Sequence, residues 1–118
     1  MRQANRRSTV STRLPSTLAR YFTATNNHDV EGMLLLFADG AVAKDEGREY
    51  RGAVAIREWR RAATAKYAFR VEPTGVAELD DKMVVTALVS GNFPGAPVSL
   101  RYEFTLEDEK IVHLEIGS

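Results

Sequence analysis

The sequence predicts an α+β fold in which three N-terminal helices pack in the concave face of a curved, mostly antiparallel sheet. Three observations lead there. Apolar residues recur at helical spacing in the first half of the chain, as at Leu14, Leu18, Tyr21 and Phe22, and again at Ile56, Trp59 and Ala63. In the last third they alternate singly. Val98, Leu100, Tyr102, Phe104 and Leu106 face one way, and Ser99, Arg101, Glu103, Thr105 and Glu107 the other. Helices first and a turn-linked meander last is the order expected when helices cover one side of an antiparallel sheet.

Each element follows in turn. Pro15 suits the first turn of a helix, and Leu14, Leu18, Tyr21, Phe22 and Thr25 give that helix one apolar face. Asn26-Asn27-His28 ends it, and Asp29 is ready to cap a second helix whose stripe of Val30, Met33, Leu34 and Phe37 runs to about Ala38. Asp39-Gly40 is a turn signal, Ala41 to Asp45 a short strand, and Glu46 to Arg51 a polar stretch with room for a brief extended piece. Gly52 precedes a third helix reaching about Lys66. There Ile56, Trp59, Ala63 and Tyr67 cluster, Arg57 and Arg61 point away, and Arg60 borders the stripe. Strands are expected over Phe69 to Leu79, Met83 to Ser90, Val98 to Leu106 and Ile111 to Ile116. Asp80-Asp81, Asn92 to Pro97 and Asp108-Glu109 supply the turns. The strand from Met83 is apolar on both faces, with Val84, Thr86 and Leu88 opposite Met83, Val85, Ala87 and Val89. A second copy laid on the outer sheet face would cover it, so a homodimer is expected.

The 118 residues form one domain from residue 14 onward, preceded by a basic arm over residues 1–13 that is expected to be flexible. Sixteen basic residues offset sixteen acidic ones, so neither nucleic acid nor an anionic membrane is an expected partner. Arg2, Arg6, Arg7 and Arg13 belong to the arm, leaving 12 basic against 16 acidic residues elsewhere. No export leader and no membrane-length apolar run is visible, and there is no cysteine, so a cytoplasmic location is expected.

Most chemical motifs are missing. Gly47 and Gly52 have the glycine spacing of a phosphate loop, but Ala53-Val54 stands where Lys-Ser/Thr is required. No metal-ligand cluster or cofactor fingerprint occurs, and neither is expected. His28 and His113 read as surface residues. Most carboxylates read as caps, turns or solvated faces. Asp45 differs, because period 2 puts it on the strand side of Ala41 and Ala43. If that side faces the helices, desolvation raises its pKa and makes it a stronger proton acceptor. If it merely ends the strand, it bonds loop amides instead.

The segments Arg20-Tyr21-Phe22, Asn27 to Met33, Leu36 to Ala41 with Asp45, and Gly52 to Trp59 resemble the opening of the nuclear-transport-factor-2-like superfamily, which includes SnoaL-like proteins. Glu109 to Val112 resembles its last hairpin. The resemblance spans residues 14–118 and implies the superfamily's cystatin-like cone. Within it, the chain resembles bacterial ketosteroid isomerase. That likeness implies Asp45 as general base and Tyr21 and Tyr102 as donors to an enolate oxygen, Tyr102 replacing a protonated aspartic acid. Its cavity would be lined by Trp59, Arg60, Tyr67, Thr86, Leu88, Phe104, Leu114 and Ile116. Arg60 stands where the isomerases have a tyrosine bonded to the oxyanion tyrosine, Phe37 cannot extend that network, and Glu46 replaces a usual proline. Two functions follow. One is a cofactor-independent isomerase or polyketide cyclase acting on a small apolar carbonyl compound. The other is a non-catalytic ligand-binding or dimerising domain.

Overall fold

The computed structural model describes residues 14–117; the basic arm expected over residues 1–13 lies outside them. Helix α1 (Ser16–Asn26) follows Pro15 and buries Thr17, Leu18, Tyr21, Phe22, Ala24 and Thr25, the face that the apolar spacing predicts. Helix α2 (Val30–Leu34) is capped as expected, the Asp29 carboxylate accepting from the Gly32 amide at 2.9 Å. Helix α3 (Gly52–Lys66) buries Ile56, Trp59 and Arg60. Arg57 and Arg61 turn outward to Glu31 of α2, at 2.8 and 3.2 Å. At this exposure the pairs contribute little.

Six strands complete the fold: β1 (Phe37–Asp45), β2 (Arg48–Arg51), β3 (Phe69–Leu79), β4 (Lys82–Gly91), β5 (Val98–Glu107) and β6 (Lys110–Gly117). They form one curved, unclosed sheet in the order β2-β1-β6-β5-β4-β3. Only the β1–β6 pair is parallel; the other pairs are antiparallel. Register places Asp45, Ile116, Tyr102 and Val85 in one row across β1, β6, β5 and β4, with Ala43, Leu114, Phe104 and Met83 in a neighbouring row. Both rows face the helices. Phe104, Leu114, Tyr21, Leu18 and Met33 make the center of the core, each fully buried.

The edge strand β3 is covered by α1. The Asn26 amide donates to the Val71 carbonyl at 2.8 Å and accepts from the Val71 amide at 2.7 Å, satisfying both outward backbone groups there. That blunts the sheet edge at Val71, where unpaired backbone groups could otherwise template another strand.

Two expectations need correction. The second helix stops at Leu34 rather than near Ala38, and Phe37 already belongs to β1. The Ile111 amide bonds the Leu36 carbonyl at 2.8 Å, so pairing with β6 captures this segment before the helix can extend. Asp39-Gly40 is consequently a bulge inside β1 rather than a turn. Between Phe37↔Ile111 and Val42↔His113, β1 advances five positions while β6 advances two, and Gly40 adopts φ +73°. The outer face of β4 carries Val84, Thr86 and Leu88, with Leu88 38% exposed.

Candidate active site

The turn after β1 sets the position of Asp45. Glu46 and Gly47 both have positive φ, the combination that a two-residue hairpin needs, so β2 folds back at once and Asp45 ends β1 on the inner face. Ala41 and Ala43 precede it on that face and are buried in the core. The Trp59 indole N–H donates to Asp45 Oδ2 at 3.0 Å. Burial pushes the Asp45 carboxyl above its ordinary value. The Trp59 bond opposes this, Glu46 adds to it, and Arg60 opposes it. Asp45 thus combines the two alternatives left open by the sequence: it ends the strand, and it is also desolvated.

A cavity of about 640 Å³ opens beside it. Of the residues singled out from the sequence, Asp45, Trp59, Arg60, Tyr67 and Ile116 line it. Sequence reasoning missed Tyr50, Phe69, Val89, Phe93, Val98 and Leu100. Val98 and Leu100 carried a usable signal, since they share the alternating face of Tyr102. Phe93 lies in the β4–β5 loop, where no periodicity speaks. Its ring meets that of Tyr67 edge-on at 5.7 Å between centroids, forming an aromatic wall.

The remaining expected site residues lie elsewhere. Phe104 and Leu114 are fully buried in the core and do not line the cavity. Thr86 and Leu88 lie on the opposite face of the sheet. The reason is strand parity: Val85 sits opposite Tyr102 and Ala87 opposite Leu100, which sends Thr86 and Leu88 outward. Tyr21 and Tyr102 do approach each other, their ring centroids 6.4 Å apart, but neither lines the cavity. Burial raises the Tyr102 phenol above the ordinary tyrosine range; nearby Tyr21 pushes the same way, Arg60 opposes and Asp45 adds a smaller push upward.

Arg60 fills the space between the phenols and the cavity. It is only 5% exposed. One terminal nitrogen donates to Tyr21 Oη at 2.6 Å and the other to Thr25 Oγ1 at 2.8 Å. Its guanidinium carbon also lies 4.6 Å from the center of the Trp59 ring. Asp45, Trp59, Arg60 and Tyr21 are therefore linked in series from the end of β1 to the middle of α1, by a hydrogen bond at each end and by the guanidinium over the indole face between them. Arg60 is therefore buried and not a solvated helix-edge arginine, although its position at the border of the stripe would allow either.

A second cleft of about 750 Å³ lies between α1, α2 and the β5–β6 turn. Its charged residues Arg20, Asp29, Asp108, Glu109 and Lys110 are all exposed, so none has the desolvation that marks Asp45. Among the described residues, no cluster of His, Cys, Asp and Glu is arranged to hold a metal ion. None of the helices among the described residues is long and apolar enough to cross a membrane.

Known proteins supply an independent comparison. The SnoaL-like domain family matches residues 18–114. A candidate polyketide cyclase from Sinorhizobium meliloti is 42% identical, with TM-score 0.84 over 87% of this chain and 94% of that one. A protein with a ketosteroid isomerase-like fold from Catenulispora acidiphila, solved with trimethylamine, is 18% identical, with TM-score 0.79 over 90% and 87% of the two chains. A cystatin-fold protein from Novosphingobium aromaticivorans is also 18% identical, with TM-score 0.72 over 87% and 96%. Among curated proteins none matches. The family match covers most of the chain, and the protein belongs to the SnoaL-like domain family.

Proposed function

We propose that the cavity binds a small, largely apolar carbonyl compound and that Asp45 removes a proton from the carbon next to its carbonyl. One observation carries this reading: a half-buried carboxylate stands on an aromatic-lined cavity wall, with one oxygen held by Trp59. Desolvation makes such a carboxylate a better base than one in water, and the tryptophan bond fixes its direction. The resulting enolate is reprotonated at another carbon in an isomerase, or attacks a second carbonyl of the same molecule in a cyclase. Likeness to the Sinorhizobium protein favours cyclisation. The step needs no cofactor, and the cysteine-free chain suits the reducing cytoplasm.

The single tryptophan lines the cavity, so ligands can be screened by its fluorescence. Steroid ketones and polyketide-like phenols are expected to quench Trp59. Bound ketones are then expected to lose their α-proton NMR signals in deuterated buffer. Quenching without exchange would favour the second reading, a ligand-binding domain without catalysis. One observation supports that alternative: the Tyr21 hydroxyl is engaged locally by Arg60.

A second copy covering the outer sheet face is part of this proposal. On β4 it would cover Thr86 and the 38% exposed Leu88, beside the already buried Val84. Sedimentation at micromolar concentration is expected to show a dimer, and Leu88→Asp to convert it to monomer. A monomeric parent protein would end that idea.

A further inference from the structure

Arg60 is the least ordinary group in the molecule. A guanidinium keeps its charge in proteins, and taking one out of water is costly unless an opposite charge comes with it. Among the described residues no carboxylate lies within salt-bridge distance of Arg60. Its two hydrogen-bond partners, Tyr21 and Thr25, are neutral hydroxyls. Those bonds use two of five N–H donors, leaving three. The residue is buried, yet it lines the cavity.

The other charges around the cavity do not supply the missing anion. Glu46 and Glu58 are offset by Arg48 and Lys66, and all four are exposed. Asp45 remains, acting on Arg60 through space and through Trp59 between them. The cavity thus has one half-buried carboxylate and one buried cation at separate points on its wall.

We propose that Arg60 is the catalytic residue that receives the negative charge developing on the substrate oxygen, a role that the phenols of Tyr21 and Tyr102 do not take. This rests on the reading of Asp45 as the base. Asp45 takes the proton from carbon, and the C–H electron pair becomes the new C=C π bond. The carbonyl π pair moves to oxygen, and the guanidinium donates to that oxygen. Charge leaves Asp45 as it appears beside Arg60, so the cavity keeps its net charge throughout. A neutral carbonyl substrate gains this interaction chiefly in the transition state, which is where it accelerates the step. A permanently anionic ligand would instead meet the Asp45 carboxylate before any proton had moved. Tyr21 and Thr25 become positioning residues, holding the guanidinium from behind.

The test uses 4-nitrophenol, whose coloured anion imitates the enolate oxygen, bound to protein carrying Asp45→Asn. That change gives the cavity the charge it has after proton transfer and makes the readout independent of whether Asp45 is a base. Moderate salt screens the exposed Arg48 and Lys66. The bound dye is expected to favour its anion by roughly tenfold or more over the free dye, as charge-assisted hydrogen bonds do. Adding Arg60→Met should abolish that preference while neutral dye still binds. Adding Tyr21→Phe should reduce it by no more than about threefold, since the charged donor remains. Failure of the dye to bind, a preference that survives Arg60→Met, or one that disappears in Tyr21→Phe would each overturn the proposal. If Arg60→Met does not fold, Arg60→Lys decides. It keeps the charge but not the planar fork, so a partial loss supports the proposal and an unchanged preference overturns it. α-Proton exchange by the unsubstituted protein separately tests Asp45, so failure of the base and failure of the oxygen site give different results.

Discussion

Asp45→Asn is expected to lower proton abstraction from a bound ketone by roughly 10²- to 10⁴-fold, the usual contribution of a positioned general base. The amide matches the carboxylate in size, and its oxygen can still accept from the Trp59 indole, so the cavity keeps its shape. Stability is expected to move the other way or not at all. Burial raises the Asp45 pKa above its ordinary value of 3.8, so the folded state holds this proton more tightly than the unfolded chain does. The stability associated with the protonated form is complete below 3.8 and is lost as pH rises through the folded pKa. At neutral pH the neutral amide therefore escapes a penalty that the carboxylate carries. Thermal melting should show Asn at least as stable as the parent at neutral pH, with that advantage shrinking in acid. The same shift sets the rate profile, exchange falling in acid around a midpoint above the ordinary aspartate value. Trp59→Phe, which removes the bond that lowers the pKa, should move that midpoint further up. A variant that loses stability at neutral pH but keeps exchange would show that Asp45 is structural.

The largest effect on folding is expected from Phe104→Ala, at about 3–5 kcal/mol. Phe104 is fully buried on β5, between Met83 of β4 and Leu114 of β6 in register. Its ring meets Tyr21 edge-on at 5.2 Å and Phe22 at 6.0 Å between centroids, and stacks on Tyr102 at 6.2 Å. Truncation removes the transfer energy of the ring and opens a void in the place where α1 meets the sheet. Helix and strands cannot both move to fill it without breaking the β4–β5–β6 ladder, so a value toward the upper end is expected. Because domains are typically stable by about 5–15 kcal/mol, such a loss consumes much of the total. Urea denaturation measures it directly. Tyr102→Phe is the control: it keeps the ring and removes a hydroxyl, and is expected to cost about 1 kcal/mol or less. If Phe104→Ala cost no more than that, the center of the core would lie elsewhere.

Much of this architecture was legible along the chain because it rests on periodicity. The face of α1, the inner and outer sides of β5, and the polar exit of Arg57 and Arg61 all follow from counting residues. The misread segment was Leu35 to Gly40, where local signals for a helix end and a turn were overridden by pairing of Phe37 with Ile111. These two residues are far apart in sequence, and no local rule holds that contact. Thr86 and Leu88 show a different limit. Both sides of β4 are apolar, so alternation indicated two faces without saying which one met the helices. Registration against Tyr102 and Leu100 decided it.

The sequence by itself determined that Asp45 shares the strand side of two small alanines, because a strand's period allows its side chains only two directions. Only the tertiary structure decided what the oxygen end of the cavity contains. A residue at the border of a helical stripe can turn either way, and its direction depends on what stands across from it. For Arg60 that is a pair of hydroxyls one helical turn apart on α1, Tyr21 and Thr25, together with the face of Trp59. Those groups draw a cation inward at a place where hydrophobicity alone would have left it in water.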